Sequence, residues 1–356
     1  MAEKMMAYIR SQPNVWREVY EKREQRLGEF CRVVSDLAFS RIIAIGSGSS
    51  YNAACCVKKL FADELGIQVL PCVPTQADTL LNLCAPQDTL VLLISQSGES
   101  TSTIGVLERV KARGFQNIAI TETPTSTIAK NSGGWVELAC GEETVGPKTK
   151  GFTTTVLTLQ LMALALCEKR GKTEACERIG TQLETSFQLA PERIERSVQW
   201  AAQQSQRLCA APHLMVLAEG ENRPAMLEAA LKLLETLYIP AVSYEFEEYL
   251  HGVHCTIGPG SHLILVIPNT GNRERMLRLA AFNEAHGGVS HVISIGSQTG
   301  VQGELNLGSF HGPYTPCYDV LLPFQVVSAL VSQDKGIHCD KPKFPHFNRE
   351  LGTKNG

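Results

Sequence analysis

The feature that most constrains this chain is an alternation that occurs twice. Short apolar runs end in turns of small residues, and each turn opens into a segment with helical character. In the first half the runs are Arg41–Ile45, Val69–Val73, Leu90–Ile94, Asn117–Thr121 and Trp135–Leu138. Runs of this length without polar alternation suit strands buried on both faces of a parallel sheet. Strands that alternate with helices wind such a sheet on both sides. The pattern returns at His213–Leu217, His262–Ile267 and His291–Ile295. Gly48 matches Gly220 at an offset of 172 residues, and Gly98 matches Gly271 and Gly114 matches Gly287 at 173. A constant offset across several strand–turn–helix units marks an internal duplication.

The expected fold class is therefore α/β: two tandem, doubly wound, flavodoxin-like parallel-sheet domains related by duplication. A chain of 356 residues has room for both. The expected organisation is a lead-in helix over 1–34, a first domain over 35–172, a connecting helical segment over 173–205, a second domain over 206–340 and a tail over 341–356. Trp16, Val19 and Tyr20 share one side of the lead-in helix, and Pro13 is expected near a helix N-terminus.

Composition removes several function classes. The net charge of −3, with scattered Lys and Arg, argues against a nucleic-acid partner. No apolar stretch of membrane-spanning length and no signal-peptide core are expected, so no membrane partner is. The 12 cysteines include no C-x-x-C pair, and Cys140 and Cys167 lie in apolar runs. Such cysteines behave as small hydrophobes, which points to a reduced, cytoplasmic protein. His251-x-x-His254 lacks the H-E-x-x-H arrangement, so no metal is expected. Gly46-Ser47-Gly48 begins like a dinucleotide fingerprint, but Tyr51 stands at the third glycine position.

Two stretches carry chemistry. The first is Ser95-Gln96-Ser97-Gly98-Glu99-Ser100-Thr101, between an apolar run and a helix. Amides, hydroxyls and a helix N-terminus at the carboxyl end of a strand suit a phosphate, although Ser, Gly and Thr are also ordinary turn residues. Gly46-Ser47-Gly48-Ser49-Ser50 is a second such loop, and the second half has lost most of these serines. The other stretch is 224–237, apolar except at Glu228, Lys232 and Glu235. Their spacing puts all three on one helix face. One reading is a solvated stripe; the other is a buried set of charges with partners and a task. Glu245, Glu247, Glu248, His251 and His254 follow closely, and carboxylates beside a histidine are the usual parts of proton transfer.

Taken together, the paired repeat, the hydroxyl loops and the Glu-Lys-Glu helix resemble the tandem SIS (sugar isomerase) family over nearly the whole chain. The likeness extends to the isomerase half of glucosamine-6-phosphate synthase and to relatives that deglycate or deaminate amino-sugar phosphates. Gly46–Tyr51 is similar to the family's first phosphate loop and Ser95–Ser100 to its second. Val145–Thr154 resembles the segment that closes over the sugar, and Met6–Pro13 the lead-in helix. The resemblance implies that Ser47, Ser49, Ser50, Ser95, Gln96, Ser97 and Ser100 hold a sugar phosphate. It implies that Glu235 moves a proton between C1 and C2 while Lys232 and Glu228 position or polarise the sugar. It makes His251 the ring-opening group, donated across a homodimer, and Lys354 the family's C-terminal lysine.

There are departures. The family's His-Gly-Pro is His251-Gly252-Val253, and Lys148 stands where the closing segment has a serine. The first loop begins at Gly46, so no N-terminal glutaminase domain and no full synthase activity are expected. The expectation is a phosphosugar-processing enzyme without a cofactor: an isomerase, or a deglycase or deaminase of a ketosamine or hexosamine 6-phosphate. The competing class is a sugar-phosphate sensor, against which the absence of a helix-turn-helix in the first 40 residues counts.

Overall fold

The structure, a computed structural model, describes residues 2–309, 312–339 and 341–354. Met1, at the start of the expected lead-in helix, lies outside these residues, as do Asn355 and Gly356 in the expected tail and 310, 311 and 340 in the expected second domain. The chain forms two compact units that do not follow chain order. One comprises Met1–Pro13, Thr144–Thr149 and Gln182–Lys341, and the other Asn14–Glu143, Lys150–Thr181 and Pro342–Gly356.

The unit built around Asn14–Glu143 holds a parallel sheet of β1 (Arg41–Ile45), β2 (Gln68–Cys72), β3 (Thr89–Ile94), β4 (Gln116–Thr121) and β5 (Trp135–Glu137). Their order across the sheet is β2-β1-β3-β4-β5, all parallel. Every residue of the central strand β3 is buried, which is why its sequence shows no alternation. Ile43, Ile45, Val91 and Leu93 pack against Val106, Leu107 and Val110 of the Thr101–Ala112 helix. Burying each such side chain contributes about 1.5–3 kcal/mol.

The Lys150–Lys169 helix overturns the expectation that no apolar stretch has membrane-spanning length. It has 20 residues and a mean hydropathy of 1.3, so by length and composition it does reach membrane-spanning dimensions. Its apolarity is explained by burial, since it packs on the Ser49–Cys56 and Lys58–Leu65 helices within this unit. Glu143 caps it by accepting from the backbone N–H groups of Lys150 and Gly151 at 3.2 and 3.0 Å.

In the other unit the sheet comprises β6 (Leu214–Ala218), β7 (Ala241–Glu245), β8 (His262–Ile267), β9 (Val289–Ser294) and β10 (Leu305–Asn306). Read from its β7 edge the order is β7-β6-β8-β9-β10, the same winding as the first sheet. The first four strands of each sheet begin 173 residues apart, at 41 and 214, 68 and 241, 89 and 262, and 116 and 289. The duplication is thus structural as well as sequential.

Other expectations need correcting. The lead-in segment is three helices, Ala2–Glu21, Arg23–Arg26 and Gly28–Val33. Pro13 lies inside the first of these, not at an N-terminus. Proline has no N–H to give the Ile9 carbonyl, and the Gln12 side-chain amide donates to that carbonyl instead at 3.3 Å. The helical segment after the first serine loop is two helices, Ser49–Cys56 and Lys58–Leu65, with the break at Val57. The helix expected over 173–205 runs over Thr173–Ala210 with Pro191 inside it.

Candidate active site

In each sheet the chain turns from the first strand to one neighbour and later comes back to the other, so the switch point lies between β1 and β3, and between β6 and β8. Ligands of such sheets bind outside the carboxyl ends of the strands at that point. The two serine loops leave β1 and β3 there.

The loop after β3 holds itself in shape. The Gly98 N–H donates to the Ser95 carbonyl at 3.0 Å and to Ser95 Oγ at 3.2 Å, and the Glu99 N–H donates to Ser97 Oγ at 3.3 Å. Thr103 Oγ1 donates to Ser100 Oγ at 3.2 Å. Gly98 has φ of 69°, and a Cβ there would lie 2.1 Å from Ser126 Oγ. Glycine is required on both counts. Glu99 turns away from the loop and accepts from the Thr127 N–H at 2.7 Å and from Thr127 Oγ1 at 2.8 Å. After β1, Gly48 precedes the Ser49–Cys56 helix, with Ser47 exposed and Ser49 and Ser50 half-buried at its start.

The C-terminal tail meets this loop. Lys354 pairs with Ser100 as an isolated antiparallel bridge, and Thr101 Oγ1 donates to the Gly352 carbonyl at 2.8 Å. Seven expected phosphate-loop residues and Lys354 therefore belong to one unit, and the tail's backbone lies beside the loop.

The equivalent turn of the second copy is filled. Gly271 has the same φ of 69°, but Glu219 sits under it: a Cβ on Gly271 would lie 2.5 Å from Glu219 Oε1. The Glu219 carboxylate accepts from the Asn272 N–H at 3.2 Å and from Asn272 Nδ2 at 2.7 Å. An internal carboxylate thus takes a backbone donor beside the start of the Arg273–Ala285 helix, where a helix N-terminus favours negative charge.

The charged stripe lies on the Arg223–Leu237 helix. It is not a solvated face: Glu228 is 0% and Lys232 1% exposed, while Glu235 is half-buried. Lys232 Nζ lies 3.3 Å from Glu228 Oε1 and donates to Glu235 Oε2. Burial opposes the charge on Lys232, and the two carboxylates more than offset it, so the ammonium is held above its ordinary range. The helix ends at Tyr238 in the left-handed region, φ 55°.

His251 follows the Phe246–Leu250 helix, whose N-terminus is capped by Glu245. It is exposed, and among the described residues its ring makes no hydrogen bond or ion pair, with Glu235 or any other group. Neighbouring Glu247 pairs with Arg275, whose hydrogen bond holds that carboxyl below its usual range. The structure thus joins Glu228, Lys232 and Glu235 by ion pairs, and among the described residues His251 takes no part in that set.

Glu122 carries no signal in the sequence, and Cys140 reads there only as a small hydrophobe in an apolar run. They fall at the ends of β4 and β5, next to the Ser95–Ser100 loop, and neither belongs to a motif of that loop. Glu122 accepts from the Cys140 and Gly141 N–H groups, each at 3.1 Å.

Residues 39–165 match the SIS domain family. The chain is 28% identical over 314 residues to glutamine–fructose-6-phosphate aminotransferase (isomerizing) of Pyrobaculum aerophilum, covering 86% of this chain and 51% of that protein. The chain thus spans about half the length of the curated relatives it matches. It superposes with a TM-score of 0.89 and 26% identity on a Clostridium difficile protein described as a candidate phosphosugar isomerase, over 99% of each chain. Glucosamine-6-phosphate deaminase of Thermotoga maritima shares the fold, with a TM-score of 0.71 and 21% identity over 96% of this chain and 97% of that one.

Proposed function

We propose, from the match of residues 39–165 to the SIS domain family and the repeated winding of the second sheet, that this chain is a phosphosugar-processing enzyme that moves a proton between C1 and C2 of an amino- or keto-sugar 6-phosphate. The observation that carries the reading is the contrast between the two copies. The first keeps a turn lined by hydroxyls, and the second fills the same turn with Glu219.

In this reading Ser47, Ser49, Ser50, Ser95, Gln96, Ser97 and Ser100 bind the phosphate, and that binding energy orients the reacting carbons. Glu235, the half-buried end of the stripe, is the base that takes the C1 or C2 proton and returns it to the other carbon through an enediol or enediolamine. Lys232, kept charged by Glu228, supports the developing oxyanion and holds Glu235 in place. His251 opens the ring, donated by a second copy, and Lys354 reaches the sugar from the tail. If the substrate carries an amine on C1 or C2, the same proton shift turns its carbon–nitrogen bond into an imine, which water hydrolyses to a carbonyl and the free amine, and this makes the enzyme a deglycase or deaminase; without an amine it is an aldose–ketose isomerase.

The test is a panel of glycated amino acid 6-phosphates, hexosamine 6-phosphates and hexose 6-phosphates, with amine release and ketose formation followed. Turnover of one class identifies the reaction. Thermal protection by a sugar phosphate without turnover of any panel member would replace the enzyme with a sugar-phosphate-binding protein.

A further inference from the structure

Gln96 is the one amide side chain in the serine loop, and its setting is closed on three sides. Its Nε2 donates to Cys140 Sγ at 3.4 Å. Cys140 Sγ in turn donates to Glu122 Oε2 at 3.1 Å. The Glu122 N–H donates back to the Gln96 carbonyl at 2.9 Å, and Thr121 Oγ1 donates to the same carbonyl at 3.1 Å. The result is a ring of hydrogen bonds through Gln96, Cys140 and Glu122. One of these sides is the first turn of the Lys150–Lys169 helix, on which the amide lies flat: a Cβ on Gly151 would be 2.6 Å from Gln96 Nε2.

The ring fixes which way the amide faces. With the thiol proton given to Glu122 at 3.1 Å or to the Gly141 carbonyl at 3.4 Å, the sulfur has only lone pairs left for Gln96, so the NH2 end must face it. Burial, and then the neighbouring Glu122 charge, push the Cys140 thiol well above its ordinary range, which keeps that proton in place.

We propose that Cys140 and Glu122 are positioning residues: they lock the Gln96 side chain in one orientation, so that its remaining N–H is preset as a donor to the bound sugar phosphate. This rests on the phosphate-loop reading above. Preset donors need no reorganisation when the anion arrives, which is the advantage of such an arrangement.

The test is calorimetric binding of fructose 6-phosphate to the full chain and to Cys140→Ala, Cys140→Ser, Gln96→Ala and the Gln96→Ala/Cys140→Ala double variant. Cys140→Ala should weaken binding about fivefold, the scale of one hydrogen bond. Cys140→Ser, which keeps a donor and an acceptor, should recover most of the loss. In the Gln96→Ala background the cysteine change should have no further effect. A loss of the same size in that background would show a merely structural role and overturn the proposal, as would a Cys140→Ala affinity within twofold of the parent. Should Cys140→Ala not fold, Glu122→Gln, which puts an amide where the thiol has its acceptor, reads the same coupling to Gln96. If the unmodified chain binds no sugar phosphate, the phosphate-loop reading itself fails, and that is seen before any variant is made.

Discussion

Replacing Lys232 by methionine tests whether the charged stripe is a buried ionic set. Lys232 is 1% exposed with its ammonium 3.3 Å from the carboxylate of Glu228, itself 0% exposed. At an effective dielectric near 20 that attraction is about 5 kcal/mol, largely offset by the cost of taking both ions out of water. The pair is therefore near neutral as a unit, but removing one member is not. Methionine keeps the volume, deletes the cation and leaves Glu228 in the interior without its ammonium. The expected cost is about 3 kcal/mol. Glu235, half-exposed, adds little because water can take over its solvation. In urea unfolding followed by circular dichroism, Lys232→Met should lower the midpoint of the affected transition and Tm by roughly 6–12 °C. The Glu228→Leu/Lys232→Met double variant should recover to within about 1 kcal/mol of the parent. A loss under about 1 kcal/mol in the single variant, or a double variant no better than the single, would refute the reasoning and return the stripe to a solvated face.

Three further outcomes follow from the same geometry. Gly98→Ala should abolish sugar-phosphate binding by calorimetry, since its Cβ would sit 2.1 Å from Ser126 Oγ at a φ of 69°; retained affinity would show that the loop is not the anchor. His291, buried beside His262 and facing Gln204 and Arg207 of the Thr173–Ala210 helix, has its pKa lowered by burial, and then by His262 and Arg207, to about 3. The unfolded chain takes up that proton near pH 6.5 and the folded one does not, so stability should fall as pH drops from 6.5 towards 3, by up to about 1.4 kcal/mol per pH unit. Urea midpoints of His291→Asn should lose that part of the slope, and parallel curves for the two proteins would contradict it. Glu219→Ala should cost about 1–2 kcal/mol in urea unfolding by stranding the Asn272 N–H, and no cost would mean that the carboxylate is not what holds the second turn.

The sheets were legible because their central strands are buried on both faces. Leu90–Ile94 and His262–Ile267 have no polar alternation to confuse the reading, and His262–Ile267 is matched to the residue. The edges were not. β7 reads Ala-Val-Ser-Tyr-Glu with only its first residue buried, so it carries no run, and β10 is two residues long. Yet the 173-residue offset applied to β2 lands on β7, so the duplication held a signal that local hydropathy did not. Pro13 misled because its helix continues through it, with the Gln12 side chain supplying the missing donor. In the site, Gln96 was visible as part of a motif, but Cys140 and Glu122 reach it only through the parallel register of β3, β4 and β5, which brings the ends of distant segments together. Glu219 was likewise hidden: an acidic residue in a turn is unremarkable until the turn it fills is the partner of one that is open.

The central claim is proton transfer at Glu235 on an anchored sugar phosphate, and isotope exchange tests it most directly. The full chain is incubated with fructose 6-phosphate and with glucosamine 6-phosphate in deuterium oxide, and carbon-bound hydrogen at C1 and C2 is followed by NMR. Deuterium should enter at one of these carbons with the parent protein. None should enter with Glu235→Gln, although that variant still binds the sugar phosphate in calorimetry. Exchange at an undiminished rate in Glu235→Gln would contradict the central claim.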